Sequence, residues 1–319
     1  MKPFASAVLA LLFVIAIFIP SAQATTAANT WFGLNGSDSN NCSSPTTPCL
    51  TLAGAYAETA PGGTINCIDN TAIISSATLT ITHSVTIDCR SVTVVLMGSG
   101  VDVITVSAGV SDVVILRGLE FESYVISGGL PGLTGVHLIS AGALHIENCT
   151  FRNFTTAGIQ ITSTNAAQLY VADSTIQHNA AGIQINPGSG GSATASFDRV
   201  AITENTGGGL KAQTTTSGPV TVDISNSTIS YNAGNGLNGV SGAGGATMLN
   251  LRNNVIASNG SAGVQANGAN AAALINNTLL DSNVAGATSA VGGGRILTYG
   301  NNSIVGNLGS GFTSSTPLQ

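Results

Sequence analysis

From about residue 114 onward one phrase recurs, and nothing else in the chain restricts the fold as strongly. It reads as an apolar-x-apolar stretch, a turn residue, a small residue, an apolar anchor, an Asn and then a Gly. The copies are LHIENCTFRNFTTAGIQI, LYVADSTIQHNAAGIQI, ASFDRVAITENTGGGLKA, VDISNSTISYNAGNGLNG, LNLRNNVIASNGSAGVQA, ALINNTLLDSNVAGA and LTYGNNSIVGNLGSGF, after a weaker VILRGLEFES. Taking the anchor as register gives Phe121, Phe151, Ile176, Ile202, Ile229, Ile256, Leu280 and Ile304, at spacings of 24 to 30 residues. Such drift suits a solenoid with variable loops, and it is too large for a coiled coil.

Two further columns stand behind the anchors. Five residues earlier are Leu116, Ile146, Val171, Phe197, Ile224, Leu251, Ile275 and Tyr299; seven earlier are Val114, Leu144, Leu169, Ala195, Val222, Leu249, Ala273 and Leu297. Period-two alternation puts these columns and the anchor on one face, the inside of a tube. Each buried aliphatic contributes about 1.5–3 kcal/mol, yet one coil cannot cover its own apolar face, so only the stack is stable. Three before the anchor is a turn column: Gly118, Asn148, Asp173, Arg199, Asn226, Asn253, Asn277 and Asn301. Three after it stand Asn179, Asn205, Asn232, Asn259, Asn283 and Asn307. Asn tolerates left-handed backbone and can bond to the next copy of itself, so both columns are expected to form ladders at the corners of the coil. That use of Asn explains the Asn-x-Ser/Thr triplets without glycosylation. Gly158, Gly182, Gly209, Gly236, Gly263, Gly286 and Gly311 mark a turn feeding the next strand.

The N-terminus has a different purpose. Lys2 precedes an unbroken apolar run, Ala7 to Ile19, which Pro20 ends before Ala22-Gln23-Ala24. That is the layout of a cleaved signal peptide over 1–24; the run is too short for a membrane span. The exported chain is therefore expected in a secreted, periplasmic or cell-surface location, with no membrane span after the leader is removed. Only 7% of residues are charged, against about 25% in an ordinary domain. The net charge is −6, one unit more negative without Lys2, which argues against nucleic acid and anionic membranes as partners. The polar load falls on Asn, Ser, Thr and 40 glycines. Export favours pairing of the five cysteines. Cys42 and Cys49 bracket a Ser/Pro/Thr loop and are expected to bridge; Cys67 and Cys89 lie about one coil apart and can stack and bond; Cys149 falls on an inward position as a buried thiol.

The repeat resembles the right-handed parallel β-helix of the pectate-lyase-like superfamily over roughly residues 62–307. Thr51 to Ala60, followed by Pro-Gly-Gly-Thr-Ile, resembles the helix that caps the first coil in such proteins. The chain is also similar to small exported bacterial β-helix proteins with a Trp-x-x-x-x-Gly start (Trp31 to Gly36), a Cys-x6-Cys loop and a Gly-Gly-x-Ile lead into the first coil. That resemblance implies a fold and no particular activity. The leucine-rich repeat lacks its second leucine set here, and calcium-binding nonapeptides lack their GGxGxD run. The expected architecture is all-β: a single-stranded right-handed parallel β-helix with a short N-terminal capping helix. Its parts are a signal peptide (1–24), a segment with the Cys42/Cys49 loop and cap helix (25–61), the β-helix (62–307) and a tail (308–319).

Chemistry is thin along this frame. Superfamily enzymes use clustered Asp with Arg or Lys on one face, and none of those residues transfers onto matching positions. Stacking sets Arg117 beside Glu147 and Glu122 beside Arg152, which reads first as solvated ion pairs of about 0–1 kcal/mol each. Glu120 and Glu122 share a face at a spacing permissive for acid/base hydrolysis, as would nearly any strand with two acids. His178, Glu204 and Tyr231 fall in one column without a nucleophile beside them. His137 and His145 lie on different strands and suggest no metal site. No catalytic residue, metal or cofactor is therefore assigned. The best binding candidate is the column after the Gly-apolar pair: Gln160, Gln184, Lys211, Asn238 and Gln265. If Ile159, Ile183, Leu210, Leu237 and Val264 point inward, these five point outward at strand spacing, offering paired donors and acceptors to hydroxyls. A structural amide ladder is the competing reading.

The sequence thus favours a secreted, non-enzymatic surface or structural protein, or a glycan binder, with a polysaccharide or cell-surface component as partner. The alternative is a carbohydrate-active enzyme, a lyase or glycoside hydrolase, which rests on fold analogy. An autotransporter passenger is disfavoured because no C-terminal barrel follows. The Ser/Thr/Gly tail is a weak cap, so end-to-end self-association through open strand edges is expected.

Overall fold

The computed structural model describes residues 26–125, 128–214, 218–242, 244–309 and 311–315; the leader expected over 1–24 lies outside them. The chain winds into a solenoid of parallel strands, right-handed as parallel strand–connection–strand units nearly always are. Among the described residues three sheets of twelve, ten and nine strands run along it. Sheet I contains Ala143–Glu147, Ala166–Ala172, Ser192–Asp198 and Val220–Ser225; sheet II contains Thr150–Arg152, Thr175–Gln177 and Ala201–Thr203; sheet III contains Thr134–Ser140, Ala157–Ile161, Ile183–Ile185 and Leu210–Gln213.

The anchors form one register across sheet II: Phe121 opposes Phe151, which opposes Ile176, and so on to Leu280 and Ile304. All but Ile304 are fully buried, and the Phe121 and Phe151 rings stack at 4.6 Å. The columns five and seven residues earlier fill the sheet I side of the same core through Ile275 and Ala273. They fail in the last coil. There Thr298 opposes Ile275 and Ile296 opposes Ala273, so Tyr299 and Leu297 are not the inward residues. One extra residue lies between strand and anchor, accommodated at Gly300 with φ +80°, and a one-residue slip exchanges the two faces of a strand.

Both corner columns do what their composition demands. Asn148, Asp173, Arg199, Asn226, Asn253 and Asn277 hold φ between 45° and 54° or at 57°, the left-handed turn from sheet I to sheet II. The second column runs inside the wall. Asn179, Asn205, Asn232, Asn259 and Asn283 are at most 1% exposed. Each Nδ2 donates to the Oδ1 of the next Asn at 2.8–3.1 Å and to the carbonyl of the preceding coil's anchor. Each Oδ1 from Asn205 to Asn283 also accepts the backbone N–H of the Asn before it, and Asn179 Oδ1 accepts that of Phe154. Gly158, Gly182, Gly209 and Gly236 pack against this ladder; a Cβ on Gly236 would lie 2.7 Å from the Gly263 carbonyl oxygen.

At the N-terminal end, helix Leu52–Glu58 buries Leu52 and Ala55 against strands Ala27–Phe32 and Thr59–Cys67. The Thr51 hydroxyl accepts the Gly54 N–H at 2.9 Å, and the Asp38 carboxylate accepts from the Thr51 N–H and hydroxyl. Cys42 bonds to Cys49 and Cys67 to Cys89, while Cys149 is a buried free thiol. Cys67 and Cys89 stack at the head of the first corner column, with Cα atoms 4.7 Å apart. After Asn307 the chain keeps winding: Phe312 packs on the core, and Ser314–Ser315 adds the last strand of sheet I.

Candidate functional site

The outward face of sheet III carries the candidate binding column. Its register is Thr105, His137, Gln160, Gln184, Lys211, Asn238, Gln265 and Ser289. The flanking Ile159, Ile183, Leu210, Leu237 and Val264 are buried, which forces the residues between them outward. Gln160 and Gln265 thus stand about 19 Å apart over four strand spacings.

These side chains spend little of their hydrogen-bonding capacity on one another. Gln160 Nε2 reaches Gln184 Oε1 at 3.4 Å, Gln265 Nε2 reaches Ser289 Oγ at 3.4 Å, and Asn235 Nδ2 donates to Gln265 Oε1 at 3.2 Å. Among the described residues no bond joins Gln184, Lys211 and Asn238 to one another, Lys211 has no acidic partner, and Asn238 Oδ1 is buried and unpartnered. The internal Asn ladder, with its short, doubled bonds, has the opposite character. Beside the column runs a groove of about 390 Å³, between Gln184, Lys211 and Asn238 and the small residues of the preceding turns, Ala180–Ala181 and Gly207–Gly208. Those residues are small because coils touch there: a Cβ on Gly207 would meet the Ala180 carbonyl oxygen. The result is a shallow, elongated surface with amide donors and acceptors on one side and apolar walls.

At the N-terminal side of this column the coil brings together three residues that sequence spacing does not link. His137 Nδ1 lies 2.9 Å from Asp102 Oδ2, and its Nε2 lies 2.8 Å from Thr162 Oγ1. Asp102 comes from the loop before strand Ile104–Ser107 and Thr162 from the end of strand Ala157–Ile161, so three successive coils contribute. Both the His137 and Asp102 side chains retain about a fifth of their exposure. Burial raises the Asp102 pKa, but hydrogen bonds from His137 and Thr134 outweigh it and hold the carboxyl below its ordinary value. Only Thr162, two residues after Gln160 on the same face, offered a trace of this in the sequence.

The other singled-out residues are placed as follows. Arg152 Nη2 bonds Glu120 Oε2 at 2.9 Å and its Nε lies 3.3 Å from Glu122 Oε2, so one guanidinium holds both carboxylates. Arg117 binds Glu147 through two nitrogens. His178 Nε2 meets Glu204 Oε2 at 2.7 Å with both side chains half exposed, and no hydroxyl or thiol completes a relay with them among the described residues. His145 stacks on Tyr170 at 4.6 Å on sheet I, far around the coil from His137; its pKa is lowered, first by burial.

Comparison with known proteins gives one family and several similar structures. The family described as right handed beta helix region matches residues 75–238 and 109–279, together most of the coil. No curated protein matches the sequence. Among solved structures, a pectate lyase superposes with a TM-score of 0.64 at 18% identity, covering 92% of this chain and 79% of its own. The A-module of a mannuronan C-5 epimerase from Azotobacter vinelandii gives 0.49 at 16% identity, covering 81% and 91%. A rhamnogalacturonan lyase gives 0.46 at 12% identity, covering 84% and 75%. At 18% identity the likeness to the pectate lyase is one of fold.

Proposed function

The chain belongs to the right-handed β-helix family, and on that footing we propose that it is an exported rod that binds an extended, hydroxyl-rich polysaccharide along the outward face of sheet III. Gln160, Gln184, Lys211, Asn238 and Gln265 are the contacting residues. The observation that carries this reading is the unspent donor capacity of Gln184 Nε2, Lys211 Nζ and Asn238 Nδ2 among the described residues, next to a groove with room for a chain. Side-chain amides supply donors and acceptors in pairs, as sugar hydroxyls require. Lys211 adds one positive charge for an occasional carboxylate, while the acidic chain as a whole disfavours dense polyanions. Two disulfides fit an oxidising compartment, consistent with the leader over 1–24, and Leu52–Glu58 serves as the N-terminal cap.

Affinity gel electrophoresis against neutral and acidic polysaccharides tests the reading. Retardation by at least one glycan is expected, and a combined Gln184→Ala, Lys211→Ala, Asn238→Ala variant is expected to weaken it by about tenfold or more, through the loss of about 1.4 kcal/mol or more. Unchanged retardation in a folded variant would remove the column from consideration.

A second reading, cleavage of the polysaccharide backbone, draws support from the superposition on a pectate lyase over 92% of the chain. Mass spectrometry of products after incubation with polysaccharides and calcium decides it. Oligosaccharide products would displace binding as the main activity and direct mutation to Glu120 and Glu122.

A further inference from the structure

His137 occupies the amide column, yet its two ring nitrogens are engaged in a way that solvent-facing histidines seldom need. An ionised carboxylate only accepts hydrogen bonds, so Asp102 takes the Nδ1–H and fixes the tautomer. Nε2 is then an acceptor, and the Thr162 hydroxyl donates to it. Acid, imidazole and hydroxyl follow one another at 2.9 and 2.8 Å, in the order required to activate a nucleophile: a base within hydrogen-bond reach of the hydroxyl, itself oriented by a third group. The His178–Glu204 pair lacks this last member, and Arg152 already neutralises Glu120 and Glu122. The hydroxyl also lies on the open face of sheet III, where a bound chain would pass.

We propose that Asp102, His137 and Thr162 form a hydrolytic relay that removes acyl ester substituents, such as acetyl groups, from the polysaccharide held on sheet III. Thr162 Oγ attacks the ester carbonyl as its proton passes to His137 Nε2. Collapse of the tetrahedral intermediate breaks the bond to the sugar oxygen, which takes the proton from His137 and leaves as the free hydroxyl. Water then attacks the acyl-threonine with His137 again as base, releasing the carboxylic acid and restoring the Thr162 hydroxyl. Asp102 orients the ring and stabilises the imidazolium at each stage. Gln160, beside His137 in register and two residues before Thr162, supplies an amide donor for the carbonyl oxygen as it gains charge. The glycan as carrier of the ester rests on the binding reading above; the hydrolysis does not.

The full exported chain is assayed on p-nitrophenyl acetate and on acetylated xylan, with intact-mass analysis after treatment with a fluorophosphonate. Hydrolysis is expected, with a covalent adduct mapping to Thr162. Thr162→Val and His137→Gln should lower the rate by about 10²–10⁴-fold. Thr162→Ser should keep both the activity and the adduct, which separates loss of the nucleophile from loss of fold. If wild type hydrolyses neither ester faster than Thr162→Val and takes up no label, the relay is overturned. Retention of xylan in native gels is measured alongside. Retention without hydrolysis sinks the relay and leaves the binding reading standing; hydrolysis of the small ester without retention of any glycan does the reverse.

Discussion

Among the described residues thirteen non-glycine positions have positive φ, and twelve fall in two columns. One is the Asn-rich corner between sheets I and II. The other comprises Asn153, His178, Glu204, Tyr231, Ser258 and Ser282, two residues after each anchor. Left-handed backbone costs about 1–2 kcal/mol outside Gly, Asn and Asp, so this second column carries strain wherever the residue is not Asn. Tyr231 has φ 57° and is 65% exposed, with little packing to lose. Tyr231→Asn should therefore stabilise the protein by about 0.5–1 kcal/mol, seen as a higher thermal midpoint; a lower one refutes this. Asn232→Ala should act in the opposite sense. It strips partners from Asn205, Asn259 and the Ile202 carbonyl inside the wall, a loss of at least about 2 kcal/mol by urea unfolding. Asp102 makes a pH prediction. Its lowered pKa means that it contributes stability above the ordinary carboxylate value of 3.8 and loses that contribution as pH falls through the lowered value. Asp102→Asn should lower the thermal midpoint at pH 7, with the difference from wild type shrinking below pH 3.8.

At the scale of one strand, the difference between an interior coil and the last one decides what a residue is worth. Ile229 is fully buried between Ile202 and Ile256, whereas Ile304 has a neighbour on one side and is 37% exposed. Ile229→Ala should cost about 2–5 kcal/mol and Ile304→Ala clearly less, a contrast that denaturant titration of both variants measures. The inward columns were legible because chemically equivalent residues recur at matched places, as Leu116, Ile146 and Val171 do. The slip at Thr298 was hidden because Tyr299 and Leu297 satisfy the apolar template as well as Ile296 does. A second internal ladder escaped for a related reason. Ser174, Ser227, Asn254 and Thr278, two residues before the anchors, are buried, and their side chains accept backbone N–H groups from neighbouring coils. Small polar residues next to a turn read as exposed until the stack encloses them.

For the whole molecule, each coil contacts only its neighbours, so the two ends are unlike everything between them. Helix Leu52–Glu58 and two disulfides occupy the first end. At the other, Val284, Val305 and Leu308 are 55%, 54% and 85% exposed beside strands whose outer edges are unpaired among the described residues, a surface prone to pair with another chain. We propose that two copies meet there end to end. Light scattering should show mass rising with concentration, and Val305→Lys with Leu308→Lys should return it to that of a monomer. A monomer at every concentration in the wild type refutes the contact.

The sequence by itself determined the coil: which residues face inward as far as Ile275, where the Asn-rich corner falls, which cysteines pair in the first loop, and that Gln160, Gln184, Lys211, Asn238 and Gln265 share an outward column. These follow from a short-range alternation repeated many times, which one chain carries in full. Only the tertiary structure decided what stands next to what between coils. Asp102, His137 and Thr162 are separated by 35 and 25 residues, and the loop lengths between them set the phase at which each coil lays its side chain on the next. A single residue more or less, as at Thr298, moves a side chain to the opposite face. Contacts that depend on that sum become visible only once the chain is wound.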